Sequence, residues 1–268
     1  MPLQEIGGAT LHYRESGQGL PLVLVHGFPL DQRIWHGQFD ELPGAVGCRV
    51  ITPDLRGFGN SIDTARFTIE SLADDLNELL RKIGALPCVL AGLSMGGYVA
   101  LAYAKKFGAA LRGLMLVDTR SQSDTPEGRA GRDAMIALAR TKGSSGVADQ
   151  MFPKMISPRT VQDLPEVARE LRAIMEACPA QTIEHALAAM RDRQDYSDFL
   201  GTITVPTLVI VGEADQIASP AVARAMHDAI PESKLAIISG AGHMAPIEQP
   251  ELVNRAVAAF MGQITNRM

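Results

Sequence analysis

Short apolar runs punctuate the first 120 residues. Leu22-Val23-Leu24-Val25, Pro87-Cys88-Val89-Leu90-Ala91 and Gly113-Leu114-Met115-Leu116-Val117 are too short for helices. They are also too uniformly apolar for strands with one wet face, so they predict strands of a parallel sheet covered on both sides. Arg49-Val50-Ile51-Thr52 predicts a further strand. Thr10 to Glu15 alternates polar and apolar side chains, as an edge strand does, and Gly17-Gln18-Gly19 marks a turn after it. Between the runs the period changes. Ile69, Leu72, Leu76, Leu79, Leu80 and Ile83 recur at helical spacing over 69–83, and Gly97 to Ala104 is helix-compatible. From Ser121 to about Leu200 no strand-like run occurs. That stretch predicts helices over roughly 128–141, 144–155, 163–177 and 180–193, separated by Gly143, Pro158, Pro165 and Pro179. Strand signals resume at Thr207-Leu208-Val209-Ile210-Val211 and Leu235-Ala236-Ile237-Ile238. Glu251 to Met261 is amphipathic and is expected to pack on the sheet.

Strands alternating with helices predict an α/β fold, a mostly parallel twisted sheet flanked by helices. Residues 1–120 and 201–268 are expected to form its core. Residues 121–200 are expected to form an all-helical cap inserted between two strands, over the strand C-terminal ends, where open α/β sheets bind ligands.

Length and charge narrow the classes. A chain of 268 residues is long enough to bury a substantial core in one domain. Its net charge of −5, without any basic block, gives no electrostatic support for nucleic-acid binding. No apolar run approaches the roughly 18 residues of a membrane helix. The first residues, Met1-Pro2-Leu3-Gln4-Glu5, lack a basic segment followed by an apolar one, so no secretion signal is expected. Cys48, Cys88 and Cys178 are odd in number and widely spaced. They read as buried free thiols in a reducing, cytoplasmic setting, with no metal-ligand spacing. Self-association stays open.

The chemistry centres on Gly92-Leu93-Ser94-Met95-Gly96, between a strand and a helix. A turn this sharp lifts a hydroxyl clear of the sheet and aims a helix N-terminus at it. A serine hydroxyl needs a base, and the base needs an orienting partner. Six histidines are present. His243 stands in the loop Ser239-Gly240-Ala241-Gly242-His243, directly after a predicted strand, and is the chosen base. Asp215, after the strand at 207–211, is the chosen acid; Glu213 is a weaker choice and Asp118, at the end of another strand, is the alternative. The oxyanion donors are expected to be the N–H groups of Met95 and Phe28, the latter in His26-Gly27-Phe28-Pro29. His26 reads as holding that loop. The loop from Pro53 to Ser61 is expected to be held by an Arg–Asp pair, Asp54 with Arg56. Trp35, Met135 and Met151 are candidates for lining a substrate pocket, although methionines in the cap also suit plain packing. Nine arginines lie between Arg120 and Arg193. Most are expected on solvated helix faces balanced by acids, with one or two available to grip a carboxylate.

The segments His26-Gly27-Phe28-Pro29, Asp54-Leu55-Arg56-Gly57-Phe58-Gly59-Asn60-Ser61, Gly92-Leu93-Ser94-Met95-Gly96-Gly97, Gly212-Glu213-Ala214-Asp215 and Gly242-His243 together make the chain resemble the α/β-hydrolase superfamily over nearly its whole length. Within it, the chain is similar to small carboxylesterases, 3-oxoadipate enol-lactonases and the cofactor-free haloperoxidase (perhydrolase) branch. The resemblance implies a serine hydrolase that cleaves carboxylic esters of small to medium acyl groups, with no metal or organic cofactor. Its partner would be a small-molecule ester or lactone. Lactonase and perhydrolase activity are the alternatives, and a non-catalytic binding protein on the same fold is the remaining rival. Haloalkane dehalogenases and epoxide hydrolases place aspartate at the elbow, and Ser94 argues against both.

Overall fold

The computed structural model describes residues 2–61 and 65–266. Eight strands form one sheet in the order β1-β2-β4-β3-β5-β6-β7-β8. β1 (Leu3–Ile6), β2 (Ala9–Ser16) and β4 (Cys48–Pro53) pair antiparallel in that sequence. From β4 onward all pairing is parallel, through β3 (Leu20–Val25), β5 (Cys88–Leu93), β6 (Leu111–Val117), β7 (Thr207–Gly212) and β8 (Lys234–Ile238). The segment around Thr10 to Glu15 is therefore not the edge. β1, a four-residue strand absent from the sequence reading, covers it.

Alternation along each strand divides the core between two faces. Val23, Val25, Leu90, Leu114, Leu116, Val209 and Val211 pack on one side. There they meet α2 (Ile69–Lys82), α3 (Met95–Phe107) and α8 (Pro220–Ala229). Leu22, Leu24, Val89, Ala91, Met115, Val117, Leu208 and Ile210 point the other way, against α1 (His36–Val46) and α10 (Pro250–Thr265). α10 lies so close to β6 that a methyl group at Gly113 would stand 2.5 Å from Ile264 Cδ1. The amphipathic run near the chain end thus packs on the sheet as expected.

Between β6 and β7 the described chain is helical. α4 (Pro126–Met155) is interrupted at Gly143, whose φ of 65° and ψ of −164° break the helix where the sequence signal fell. α5 (Pro158–Asp163), α6 (Pro165–Ala177) and α7 (Ala180–Arg191) follow, with Ser157 capping α5 through its hydroxyl. Two contacts tie this stretch to loops at the C-terminal ends of strands. Thr182 Oγ1 donates to Gly57 O (2.9 Å), and Ser157 Oγ donates to Gly240 O (3.2 Å). Six of its arginines, Arg132, Arg140, Arg159, Arg172, Arg191 and Arg193, close on acids. Short α9 (Ala245–Glu248) leads into α10.

The parallel register brings Val25, Leu93, Val117, Gly212 and Ile238 to one edge of the sheet. The ladder continues past the strands: Ser94 N–H donates to Val117 O, Asp118 N–H to Ile210 O and Glu213 N–H to Ile238 O, at 2.8–2.9 Å. The segments carrying Ser94, Asp118, Asp215 and His243 all leave from this edge. A Cβ on Gly212 would meet Gly242 O at 1.9 Å, so the loop before His243 lies flat on the end of β7. Gly212→Ala is expected to destabilise the protein by about 1–3 kcal/mol through overpacking. Gly131→Ala, in α4 with open space around it, is expected to be neutral or mildly stabilising. Thermal unfolding of the two variants checks the contrast; equal melting temperatures would contradict it.

Candidate active site

Ser94 sits at the junction of β5 and α3 with φ 53° and ψ −111°, a backbone conformation that costs energy in any residue with a side chain. Its carbonyl is held from two sides. Gly97 N–H donates to it at 2.9 Å, and Thr119 Oγ1 at 2.7 Å. The turn closes only without side chains beside it: a Cβ on Gly96 would stand 2.5 Å from Val25 O and 2.6 Å from His26 O. The start of α3 therefore rests on the loop after β3.

That loop is fixed by His26, which is completely buried. Its Nε2 accepts from Leu55 N–H (3.0 Å), so the ring is neutral and Nδ1 donates to Gly27 O (2.8 Å). Burial holds its pKa below the usual histidine value, against the raising effect of Asp54. Both nitrogens are thus committed to shaping the loop, as the sequence reading held. The loop lies against the elbow, since a Cβ on Gly27 would be 3.2 Å from Ser94 Cβ. Among the described residues no acceptor pairs with the N–H groups of Phe28 or Met95. Met95 is the first residue of α3, where the helix dipole favours negative charge.

His243 is 1% exposed, and its Nδ1 lies 2.8 Å from Asp215 Oδ2. A carboxylate only accepts, so Nδ1 carries a proton, and in the neutral ring the lone pair is then on Nε2. Asp215 Oδ1 accepts from the N–H groups of Ile217 (2.7 Å) and Ala218 (2.9 Å). Burial alone would raise the Asp215 pKa, but His243 and those two N–H groups outweigh it, leaving the carboxyl below its ordinary value. The acid stays ionised, oriented at both oxygens.

The other acids are placed differently. Glu213 Oε2 accepts from Ser239 Oγ (2.8 Å) and Gly240 N–H (3.1 Å) on the surface. Asp118 is wholly buried, with φ 45°. Its Oδ1 accepts from Gly212 N–H (2.7 Å), and its Oδ2 has no partner among the described residues. Burial first, and the nearby Asp215 charge second, push its pKa well above the carboxylate range. Asp118 thus lies beside the acid that holds His243, with its carboxyl biased toward the neutral form.

The Arg–Asp pairing within the loop after β4 is corrected. Asp54 accepts from Gln32 N–H (2.9 Å) at Oδ1, and from His12 Nδ1 (2.9 Å) and Asn60 N–H (3.0 Å) at Oδ2. The Arg56 guanidinium closes instead on Asp75 of α2, at 2.6 and 2.7 Å. Trp35 is 1% exposed within the core beside Leu30 and Ile34. Met135 and Met151 are partly buried at the rim of the core. Cys48, Cys88 and Cys178 are free and buried, and burial raises the thiol pKa of Cys48 to about 11 and of Cys88 to about 12.

Two residues here escaped the sequence reading. Thr119 directly follows a strand end, which was its only signal. Glu248 carries a clearer one, a lone carboxylate closing the apolar run Met244-Ala245-Pro246-Ile247. Among the described residues no helix is long and apolar enough to cross a membrane.

Residues 22–256 match the alpha/beta hydrolase family, and the chain belongs to that family. It is similar to a thermophilic esterase from Thermogutta terrifontis, with 39% identity, a TM-score of 0.93, and coverage of 98% of this chain and 97% of the other. It is also similar to the enol-lactonase from Burkholderia xenovorans LB400, at 26% identity and a TM-score of 0.90, covering 97% and 100%. The non-heme chloroperoxidase CPO-A1 of Kitasatospora aureofaciens is 29% identical over 96% of this chain and 97% of its own length.

The raised Asp118 pKa has a stability consequence. In the unfolded chain the group titrates near 3.9, whereas the folded state holds its proton to higher pH. Its contribution to stability is complete below the unfolded pKa and is lost as pH rises toward the folded one. Asp118→Asn removes this titration while keeping an acceptor for Gly212 N–H. Between pH 5 and pH 8 its stability relative to the parent is expected to increase, by at most about 1.4 kcal/mol per pH unit. Urea unfolding across that range checks it; parallel pH profiles would contradict it.

Proposed function

We propose that the chain is a serine hydrolase that cleaves carboxylic esters of small to medium acyl groups through an acyl-serine intermediate. The observation that carries this reading is the bond from His243 Nδ1 to Asp215 Oδ2, which leaves Nε2 as a proton acceptor on the sheet edge that also bears Ser94. In the proposed reaction His243 Nε2 takes the Ser94 proton as Oγ attacks the ester carbonyl carbon. The N–H groups of Phe28 and Met95, free of internal acceptors, receive the developing oxyanion; such a donor is worth about 10²–10³ in kcat. His243 then gives its proton to the departing alkoxide, and the alcohol leaves. Water attacks the acyl-serine through the same base, releasing the acid and restoring Ser94. Ionised Asp215 fixes the imidazole tautomer and stabilises its charged form.

The helices α4 to α7 act in this reading as a cap that shapes the acyl and alcohol sides of the site. The free, buried cysteines support a reducing, cytoplasmic setting. Six of the nine cap arginines close on acids of the chain itself, which leaves Arg120, Arg129 and Arg169 as the cations that an anionic lactone would have to use. Enol-lactone hydrolysis, suggested by the Burkholderia relative, would need one of these to grip the substrate carboxylate. Perhydrolase activity would use hydrogen peroxide in place of water at the same acyl-serine.

Ser94→Ala is expected to lower kcat on short p-nitrophenyl esters by about 10³-fold or more. Asp215→Asn is expected to cost about 10³–10⁴-fold, and Asp118→Asn less than about tenfold. Undiminished turnover in Ser94→Ala contradicts the serine assignment, and a loss confined to Asp118→Asn moves the acid. An ester chain-length series run beside an enol-lactone and a peroxide-dependent halogenation assay ranks the substrate classes.

A further inference from the structure

Glu248 ends α9 and is 1% exposed. Its Oε1 accepts from Gly242 N–H (2.9 Å) and Met244 N–H (3.1 Å), the two residues that flank His243. Its Oε2 accepts from Ser157 N–H (2.8 Å) and Thr160 Oγ1 (2.7 Å), the first turn of α5. All four partners donate and none is a cation. Only a carboxylate accepts at both ends in this way, because an amide would turn N–H donors toward one of the two pairs. All four residues of α9, Ala245 to Glu248, are buried, and a buried carboxyl is tolerated only if its oxygens are satisfied. The two segments it joins also touch: a Cβ on Gly242 would lie 2.7 Å from Ser157 N and 3.1 Å from Glu248 Oε1.

We propose that Glu248 is a positioning residue that clamps the backbone on both sides of His243 to the first turn of α5, so that the seating of the helical segment sets where the imidazole stands. This rests on His243 acting as the base. The ring itself is held at Nδ1 by Asp215, and Glu248 holds the chain that carries it. A shift of α5 by a fraction of an ångström is passed through one carboxylate to the N–H groups beside the base. Thr160 is the informative position, because it lies outside the reacting groups and contributes a single hydroxyl to the clamp.

Thr160→Val keeps shape and removes that hydroxyl. On a short p-nitrophenyl ester it is expected to lower kcat by about 5–20-fold, in line with loss of a hydrogen bond to a charged group that orients a reacting one. KM is expected to stay within about twofold, since both side chains are buried and bonded to each other inside the protein. Thr160→Ser, which restores the hydroxyl, should recover kcat to within about twofold. In a Glu248→Ala background, Thr160→Val should have no further effect on kcat. Unchanged kcat in Thr160→Val, failure of the serine to rescue, or independent multiplication of the two effects would overturn the clamp. So would a rise in KM alone, which would assign Thr160 to substrate binding. If Glu248→Ala does not fold, the valine–serine pair still decides. The Ser94→Ala control separates the two levels: a fully active Ser94→Ala overturns the serine mechanism and this inference with it, whereas an inactive Ser94→Ala beside a silent Thr160→Val overturns the clamp alone.

Discussion

A single buried hydrogen bond organises the site: His243 Nδ1 to Asp215 Oδ2, 2.8 Å. It decides which imidazole nitrogen is protonated and therefore which can act as a base. The bond exists because β7 and β8 are parallel neighbours, so the loops after them leave from one edge. It also needs Gly212, whose missing side chain lets the His243 loop settle on the end of β7. Backbone packing thus comes before chemistry: the apolar alternation that fills both faces of the sheet fixes the register, and the register places Asp215 beside His243.

Three carboxylates are buried near that imidazole, and each is accommodated in a different way. Asp215 is ionised, held by His243 and two backbone N–H groups. Asp118 is biased toward its neutral form, because burial and the Asp215 charge both oppose ionisation. Glu248 shares four donors between its two oxygens. Leaving a charge buried and unpaired would cost several kcal/mol. Two of the three carboxylates, Asp215 and Glu248, thus accept hydrogen bonds at both oxygens and hold His243 and its loop, while among the described residues Asp118 accepts at one oxygen alone.

Much of this was legible in the sequence. The strands at 22–25 and 207–211 announce themselves as continuous apolar runs, and the break at Gly143 as a glycine needed for a left-handed φ. The meeting of Asp215 with His243 was legible because each follows a strand signal. The misses have physical causes. β1 is four residues long with only Ile6 buried, too short for alternation to show. α1 carries Pro43 in its interior and lacks a side-chain cap, which hid its helical pattern. Asp54 and Arg56 are neighbours in sequence, but the arginine reaches α2 and the aspartate reaches the loop after β3, a choice made by tertiary packing. Glu248 shows as a lone carboxylate after an apolar run, but its four donors come from segments that sequence proximity alone does not join.

The proposed chemistry requires Ser94 to be a nucleophile activated in place. Reaction of the folded protein with a fluorophosphonate, followed by peptide mass mapping, measures this directly. A single adduct on Ser94 is predicted, formed rapidly in the native protein, lost on unfolding and greatly slowed in Asp215→Asn. An adduct on another side chain, or none at Ser94 in a correctly folded sample, would contradict it.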